Sequence, residues 1–188
     1  MRLILASASP RRAELLASAG FEFEVVSADV DESAYPGEEP GPYALRVARA
    51  KARRVSSEGA GPGIVLAADT VVVAGTRMMG KPEDEAHAAS MLRALSDSVH
   101  DVLTAVVLLS SAREVTEVAT TRVHFLPLSD DEIRWYIATG EPFGKAGAYA
   151  IQGRAARFID RIEGSWSNVV GLPLATVHRL LAAVGDGV

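Results

Sequence analysis

The chain has no cysteine among its 188 residues. Disulfide bonds and thiol catalysis are therefore excluded, and only carboxylate, histidine or water ligands are available to a metal ion. His87 and His100 are too isolated to indicate a metal cluster. No apolar run approaches the roughly 20 residues of a membrane span, and the apolar stretch after Arg2 is too short for a signal peptide. These absences predict a globular protein of the cytoplasm that has no membrane partner.

Lysine, glutamine and asparagine are scarce. Against sixteen arginines the chain has only three lysines, one glutamine and one asparagine, namely Lys51, Lys81, Lys145, Gln152 and Asn168. Chance accounts for the presence of any one of them, and as a group they only direct attention. A site that needs a compact ammonium group cannot accept arginine in place of lysine. The net charge of −5 argues against a nucleic-acid partner, which requires an extended basic surface. A small anion in a local basic pocket remains compatible with it.

Helical and strand patterns mix along the whole chain. Strands are predicted at residues 2–7, 21–28, 64–75, 99–110, 114–127 and 156–164. Helices are predicted at 10–19, 42–57, 82–95, from a Ser129 capping box to Thr139, and at 173–184. Repeats and flexible linkers are absent from the sequence, so we expect a single domain over 1–188, of the α/β class with a mixed sheet.

Two arginines fall where a helix disfavours them. Ser9 and Pro10 predict a helix start, which puts Arg11 and Arg12 in the first turn, beside the positive end of the helix dipole. One interpretation is an exposed pair that tolerates a poor position. The other is an anion site, in which a Ser-rich loop, free amides and two guanidinium groups converge on phosphate.

Two further charges lie in apolar surroundings. Asp69 interrupts the apolar run 64–75, where an ionised carboxylate costs several kcal/mol unless it is paired or metal-bound. An aspartate at a strand end or turn is the other interpretation. Lys51 falls on the apolar face of its helix, where it either extends to solvent or points inward.

Seven short motifs follow one another over almost the whole chain: ASASPRR, DVDE, AKA around Lys51, AADT, GKP, KAGAYAIQG and NVVGLPL. In this order they resemble the Maf family of nucleoside triphosphate pyrophosphatases. The resemblance implies a fold related to the inosine triphosphatases, with a mixed central sheet and two lobes flanking a nucleotide cleft, and a homodimer. It also implies hydrolysis between the α and β phosphates, giving a nucleoside monophosphate and pyrophosphate, with a divalent metal such as Mg²⁺ or Mn²⁺.

The form KAGAYAIQG is similar to the branch of the family that acts on dTTP and UTP. By position, Asp69 matches the catalytic proton acceptor. The positions associated with pyrimidine selectivity are matched by Arg12, Thr70 and Gln152. Other active-site positions are matched by Ser7, Arg11, Glu32, Lys51 and Lys81. The metal is expected at Glu32 and Asp69, with Asp31 as a further candidate.

One residue departs from the family pattern. Gly144 stands where many members have aspartate before Lys-Ala-Gly. If that aspartate orients the loop or the metal, activity here is weaker or depends more on Asp31 and Glu32.

Two alternatives stay open. One is a nucleotide-binding regulator of cell division or septum formation without significant turnover, which needs a basic pocket but no base. The other is a house-cleaning pyrophosphatase whose preferred substrates are modified nucleotides, while CTP is a further candidate substrate beside dTTP and UTP. The carboxylate of Asp69 favours an enzyme.

Overall fold

The computed structural model describes residues 2–58 and 62–185. Its α-helices are α1 (Pro10–Ser18), α2 (Pro40–Ser57), α3 (Glu85–Leu95), α4 (Asp130–Ala138), α5 (Trp166–Val170) and α6 (Leu174–Gly185). Its strands are β1 (Leu3–Ala6), β2 (Glu24–Val26), β3 (Ile64–Ala74), β4 (Arg77–Met79), β5 (Val99–Leu109), β6 (Glu114–Phe125) and β7 (Ile159–Glu163). Two short 3₁₀ helices, Ala146–Ala148 and Arg154–Phe158, precede β7. In these described ranges, every helix is too short or too polar to cross a membrane.

The strands form a mixed sheet. Their order is β2-β1-β3-β5-β6-β7, and β4 pairs with β3 beside that path. β1 lies parallel to both β2 and β3, whereas the β3–β4 and β6–β7 pairs are antiparallel. All four residues of β1 are buried, as expected of a central parallel strand. The predicted α/β class with a mixed central sheet is confirmed.

The described residues group into two compact units. The first lies within Met1–Asp69, Thr104–Ala119 and Gly171–Val188, and the second within Thr70–Leu103 and Thr120–Val170. Because β3, β5 and β6 run across these boundaries, each of them contributes residues to both units. The single domain over 1–188 and the cleft between two lobes stay predictions.

In the first unit, α2 packs against β1 through small apolar side chains. Its buried apolar residues are Ala44, Val47, Ala48, Ala52 and Val55. They recur three or four residues apart and so form one stripe along the helix. α2 begins at Pro40 rather than at the predicted Pro42, because Glu39 is the last residue in the extended conformation and proline is well suited to the first helical position.

In the second unit, the core contains a cluster of rings. His100, Phe125 and Tyr149 meet edge to face with centroids 4.9 to 5.4 Å apart. The neutral imidazole is satisfied in part by Tyr149, whose hydroxyl lies 2.9 Å from His100 Nε2. Burial, and to a smaller extent the charge of His124, lowers the pKa of His100 to about 4. The core therefore holds an uncharged histidine at neutral pH.

Several predicted boundaries were wrong for local reasons. The strand expected at 21–28 shortens to Glu24–Val26, which forms the edge of the described sheet beside β1. α3 begins at Glu85 rather than at Pro82, because the Asp84 side chain caps the helix by accepting from the His87 N–H.

Other differences concern short elements. The predicted strand 156–164 begins with the end of a 3₁₀ helix, and only Ile159–Glu163 pairs with β6. β4 and α5, of three and five residues, were not predicted. The Ser129–Glu132 capping box of α4 is confirmed in both of its hydrogen bonds.

The buried imidazole predicts a pH dependence of stability. The unfolded chain binds a proton on His100 below about pH 6.5, whereas the folded chain does so only near pH 4. The free energy of unfolding should therefore decrease as the pH is lowered from about 6.5 to about 4, by at most about 1.4 kcal/mol per pH unit. His100→Gln should flatten that slope in urea unfolding measured from pH 7 to pH 4. His178→Gln at an exposed position is the control, and equal slopes in both variants would contradict the assignment.

Candidate active site

A buried lysine lies between two carboxylates of the first unit. Lys51 Nζ is 2.6 Å from Glu32 Oε1 and 2.7 Å from Asp69 Oδ1. The side chains of Lys51 and Asp69 are only 8% and 9% exposed, whereas that of Glu32 is 40% exposed. Lys51 thus points inward rather than to solvent. Its ammonium group neutralises an aspartate whose buried charge would otherwise be strongly destabilising.

Asp69 lies within a continuous strand. Residues 64–69 of β3 are all buried, and the strand continues to Ala74. The interpretation of Asp69 as a residue at a strand end or turn is therefore wrong. A carboxylate on a paired strand has a fixed backbone, which favours a defined position for chemistry.

The two arginines of α1 have different surroundings. Arg12 is buried; its Nε donates to the Gly171 carbonyl at 2.8 Å and its Nη1 to Ser7 Oγ at 3.4 Å. Burial lowers the pKa of Arg12, opposed by the nearby negative charges of Asp69 and Glu32. Arg11 is half-buried, and burial lowers its pKa as well. The interpretation as an exposed pair is therefore wrong for Arg12.

The start of α1 has no side-chain cap. Ser9 and Pro10 occupy the predicted N-cap and first helical positions, but the Ser9 side chain makes no capping hydrogen bond. Ser7 Oγ instead accepts from the Ser9 N–H at 3.1 Å. First-turn N–H groups without a side-chain cap retain the positive potential of the helix end, which suits an anion.

The acidic loop before α2 is tied to that helix by residues whose role the sequence did not indicate. The Tyr43 hydroxyl donates to the Glu32 carbonyl at 2.8 Å. Arg46 donates to both carboxylate oxygens of Glu38 at 2.7 Å and lies 4.0 Å from the ring centre of Tyr35. Burial, assisted by neighbouring carboxylates, raises the pKa of Tyr43 to about 12, so the hydroxyl stays a donor. The available signal was the i, i+3 spacing of Tyr43 and Arg46 directly after an acidic segment.

The remaining predicted residues belong to the second unit. Thr70 follows Asp69 in β3 and is half-buried, while Lys81 and Gln152 are exposed in a loop and a turn. The Gly147 N–H donates to the Gly80 carbonyl at 3.1 Å. The loop that carries Lys81 is therefore bonded to the segment that leads to Gln152.

Gly144 adopts a left-handed conformation with φ of 73°. A Cβ built there would meet no atom within 4 Å. An aspartate at this position would therefore face only the strain of the backbone conformation, which aspartate tolerates better than most residues. The glycine removes a carboxylate from this loop without a steric reason.

Glu32 and Asp69 are the two carboxylates predicted to hold a divalent cation. Among the residues that the structure describes, no group of three or more histidine, aspartate and glutamate side chains could hold a metal ion. The Glu32 and Asp69 carboxylates converge on the same ammonium group, however. Mg²⁺ is commonly held by one or two carboxylates, with waters and ligand phosphates completing its shell. The pair therefore fits a cation that binds together with a phosphate ligand.

A family model described as Maf-like protein matches residues 2–184. The chain belongs to the Maf family. A relative from Geotalea uraniireducens, described as a dTTP/UTP pyrophosphatase, is 53% identical over 185 residues, covering 97% of this chain and 95% of that protein. Another from Geobacter sulfurreducens, with the same description, is 50% identical over 186 residues and covers 98% and 97%. The family expected from the seven motifs is confirmed.

A solved structure is also similar to this Maf chain. It is a nucleoside-triphosphatase described as a dITP/XTP pyrophosphatase, from Mycobacterium abscessus. The TM-score is 0.40 at 20% identity, over 66% of this chain and 73% of that one.

The buried ion pair predicts a double-mutant result. Lys51→Met leaves Asp69 charged without its ammonium partner and should lower the free energy of unfolding by about 3–5 kcal/mol. Lys51→Met combined with Asp69→Asn should recover most of that loss in urea unfolding at pH 7. Arg54→Met, which breaks an exposed pair with Glu58 on the same helix, is the control and should cost about 0.5 kcal/mol or less. A double variant no more stable than Lys51→Met would contradict this account of the pair.

Proposed function

We propose that this chain hydrolyses dTTP and UTP to the nucleoside monophosphate and pyrophosphate. The observation that carries the proposal is the Asp69 carboxylate, buried in β3 against Lys51, whose ammonium group also contacts Glu32. A non-enzymatic regulator needs no such group. The descriptions of the relatives support the choice of substrates, since they share about half of their residues with this chain over nearly its whole length.

Asp69 is the proposed base. It would accept a proton from a water molecule as the water oxygen bonds to the α-phosphorus. The bond between the α-phosphorus and the bridging oxygen then breaks, and pyrophosphate leaves with that oxygen. Positioned general bases contribute about 10²–10⁴ to the rate.

Cationic groups would bind the triphosphate and stabilise the charge that develops on it. Arg11, the uncapped first turn of α1 and Lys81 are the proposed phosphate contacts, since forked donors, amides and an ammonium group all suit phosphate oxygens. Arg12 would add a fixed positive charge, because its guanidinium is held by the Gly171 carbonyl and Ser7. Lys51 would keep the two carboxylates in place.

Glu32 and Asp69 would hold the divalent cation. When bound, the cation neutralises phosphate oxygens and stabilises negative charge in the transition state. Mg²⁺ or Mn²⁺ is the expected ion, and a homodimer in the cytoplasm is the expected state. Metal depletion tests the requirement for the ion, and sedimentation tests the homodimer.

Gln152 is proposed to read the base. A uracil or thymine edge presents an acceptor, a donor and an acceptor, and one amide satisfies two adjacent members of that series. Thr70 and Arg12 are proposed to shape the rest of the selectivity. A wrong base would leave polar groups unpaired, which discriminates more strongly than shape alone.

Asp69→Asn tests the base. The substitution keeps the size of the side chain but removes the proton acceptor, so kcat for dTTP should fall by about 10²–10⁴-fold. Pyrophosphate release by the purified variant measures this, with circular dichroism as the control for folding. Near-normal turnover would rule out Asp69 as the base, and a wild type without turnover on any triphosphate would favour the regulator.

Gln152→Glu tests the reading of the base. The variant loses the amide donor at neutral pH, so kcat/KM should fall more for dTTP and UTP than for CTP, GTP and ATP. Ala156→Glu, at an exposed position four residues later, adds the same charge without changing the amide. An equal loss on all five triphosphates, or the same selectivity change in both variants, would show that Gln152 does not read the base.

A further inference from the structure

Glu141 is the acceptor for a group of backbone N–H bonds that the sequence did not indicate. Its Oε2 accepts from the Arg154 N–H at 3.0 Å, and its Oε1 accepts from the Ala155 N–H at 3.3 Å. The Tyr136 hydroxyl donates to the same Oε1 at 2.8 Å. Both carboxylate oxygens are therefore engaged. Two of the three donors belong to the 150–155 turn, the segment that runs from Ala150 through Gln152 to the first two residues of the 3₁₀ helix Arg154–Phe158.

Tyr136 extends the group to the other side of that turn. Its hydroxyl oxygen accepts from the Ala150 N–H at 3.2 Å while it donates to Glu141. The side chain comes from α4, is fully buried and packs edge to face on Phe158 at 5.5 Å. The backbone is thus held two residues before Gln152 and again two and three residues after it.

Gly153 leaves room for this carboxylate. A Cβ built at Gly153 would lie 2.4 Å from Glu141 Oε1 and 2.5 Å from Oε2. Its φ of −109° is open to any residue, so the requirement for glycine comes from the carboxylate and not from the backbone conformation. A side chain at position 153 would therefore displace the Glu141 carboxylate from its present position.

The ionisation states suit these roles. Burial raises the pKa of Glu141, but the hydrogen bonds from Arg154, Tyr136 and Ala155 outweigh it and leave the pKa below its ordinary value. The pKa of Tyr136 is raised, mainly by burial and secondly by its hydrogen bond to Glu141. At neutral pH the pair is an ionised acceptor and a neutral hydroxyl, as the hydrogen bonds require.

We propose that Glu141 and Tyr136 are positioning residues that fix the 150–155 turn and thereby hold the exposed amide of Gln152 in place to read the pyrimidine. This inference rests on the proposed function. The side chain of Gln152 is long and exposed, so its placement depends on the backbone that carries it. Small displacements of positioning groups, on the order of 1 Å, cost about 10²-fold in rate.

Glu141→Gln is the informative variant. Its amide has the same shape, but its NH₂ group must face an N–H or O–H donor on one side, so at least one hydrogen bond to the turn or Tyr136 is lost. kcat/KM for dTTP and UTP should fall by about tenfold or more, while kcat/KM for GTP and ATP changes less. Gly153→Ala, which displaces the carboxylate without removing it, should change selectivity in the same direction.

The control is a substitution that weakens the same helix elsewhere. Ser129→Ala removes the cap of α4 but none of the bonds to the turn. It should lower the thermal midpoint and leave the ratio of pyrimidine to purine kcat/KM unchanged. If the ratio of pyrimidine to purine kcat/KM falls together with the thermal midpoint in both Glu141→Gln and Ser129→Ala, the positioning role is overturned.

A double-mutant cycle and amide exchange separate this inference from the proposed function. In a Gln152→Ala background, Glu141→Gln should change selectivity less than twofold, because it acts through Gln152. The Arg154 and Ala155 amides should exchange faster in Glu141→Gln and at the wild-type rate in Ser129→Ala. If the wild type is selective for pyrimidines, additive selectivity changes in the double-mutant cycle, or unchanged amide exchange in Glu141→Gln, would overturn the positioning role alone. A wild type that prefers purines would overturn the proposed function itself.

Discussion

The ion pair between Lys51 and Asp69 sets the conditions for the rest of the first unit. A carboxylate in the middle of a buried strand requires a counter-charge, and here it comes from Lys51 of α2, the helix that packs against β1. The small side chains of the α2 stripe allow that close approach. Glu32 of the acidic loop contacts the same ammonium group. The packing of α2 and the charge of the strand are therefore linked at one lysine.

The arginines of α1 illustrate a second use of buried charge. Arg12 is held by a main-chain carbonyl and a serine hydroxyl, so its guanidinium has a fixed orientation. Arg11, one residue earlier, keeps more freedom because it is only half-buried. The same helix end thus combines one fixed cation with one more adaptable cation.

Much of this could be predicted from the sequence, because periodicity and caps are local. The stripe of α2, the capping box of α4 and the burial of β1 follow from residue spacing alone. The direction of Lys51 did not follow, since a helical pattern gives the face of a residue but not the partner across from it. Glu141 was missed because its donors are mainly backbone N–H groups, which leave no trace in residue identity. β4 and α5 are too short to produce a period.

Glu32 divides two tasks between two parts of one residue. Its side chain meets Lys51, whereas its carbonyl oxygen is held by Tyr43. Because any amino acid supplies that carbonyl, the hydrogen bond from Tyr43 does not require a particular side chain at position 32. A substitution at position 32 can therefore change the charge beside Lys51 while the hydrogen bond that holds the loop to α2 is kept.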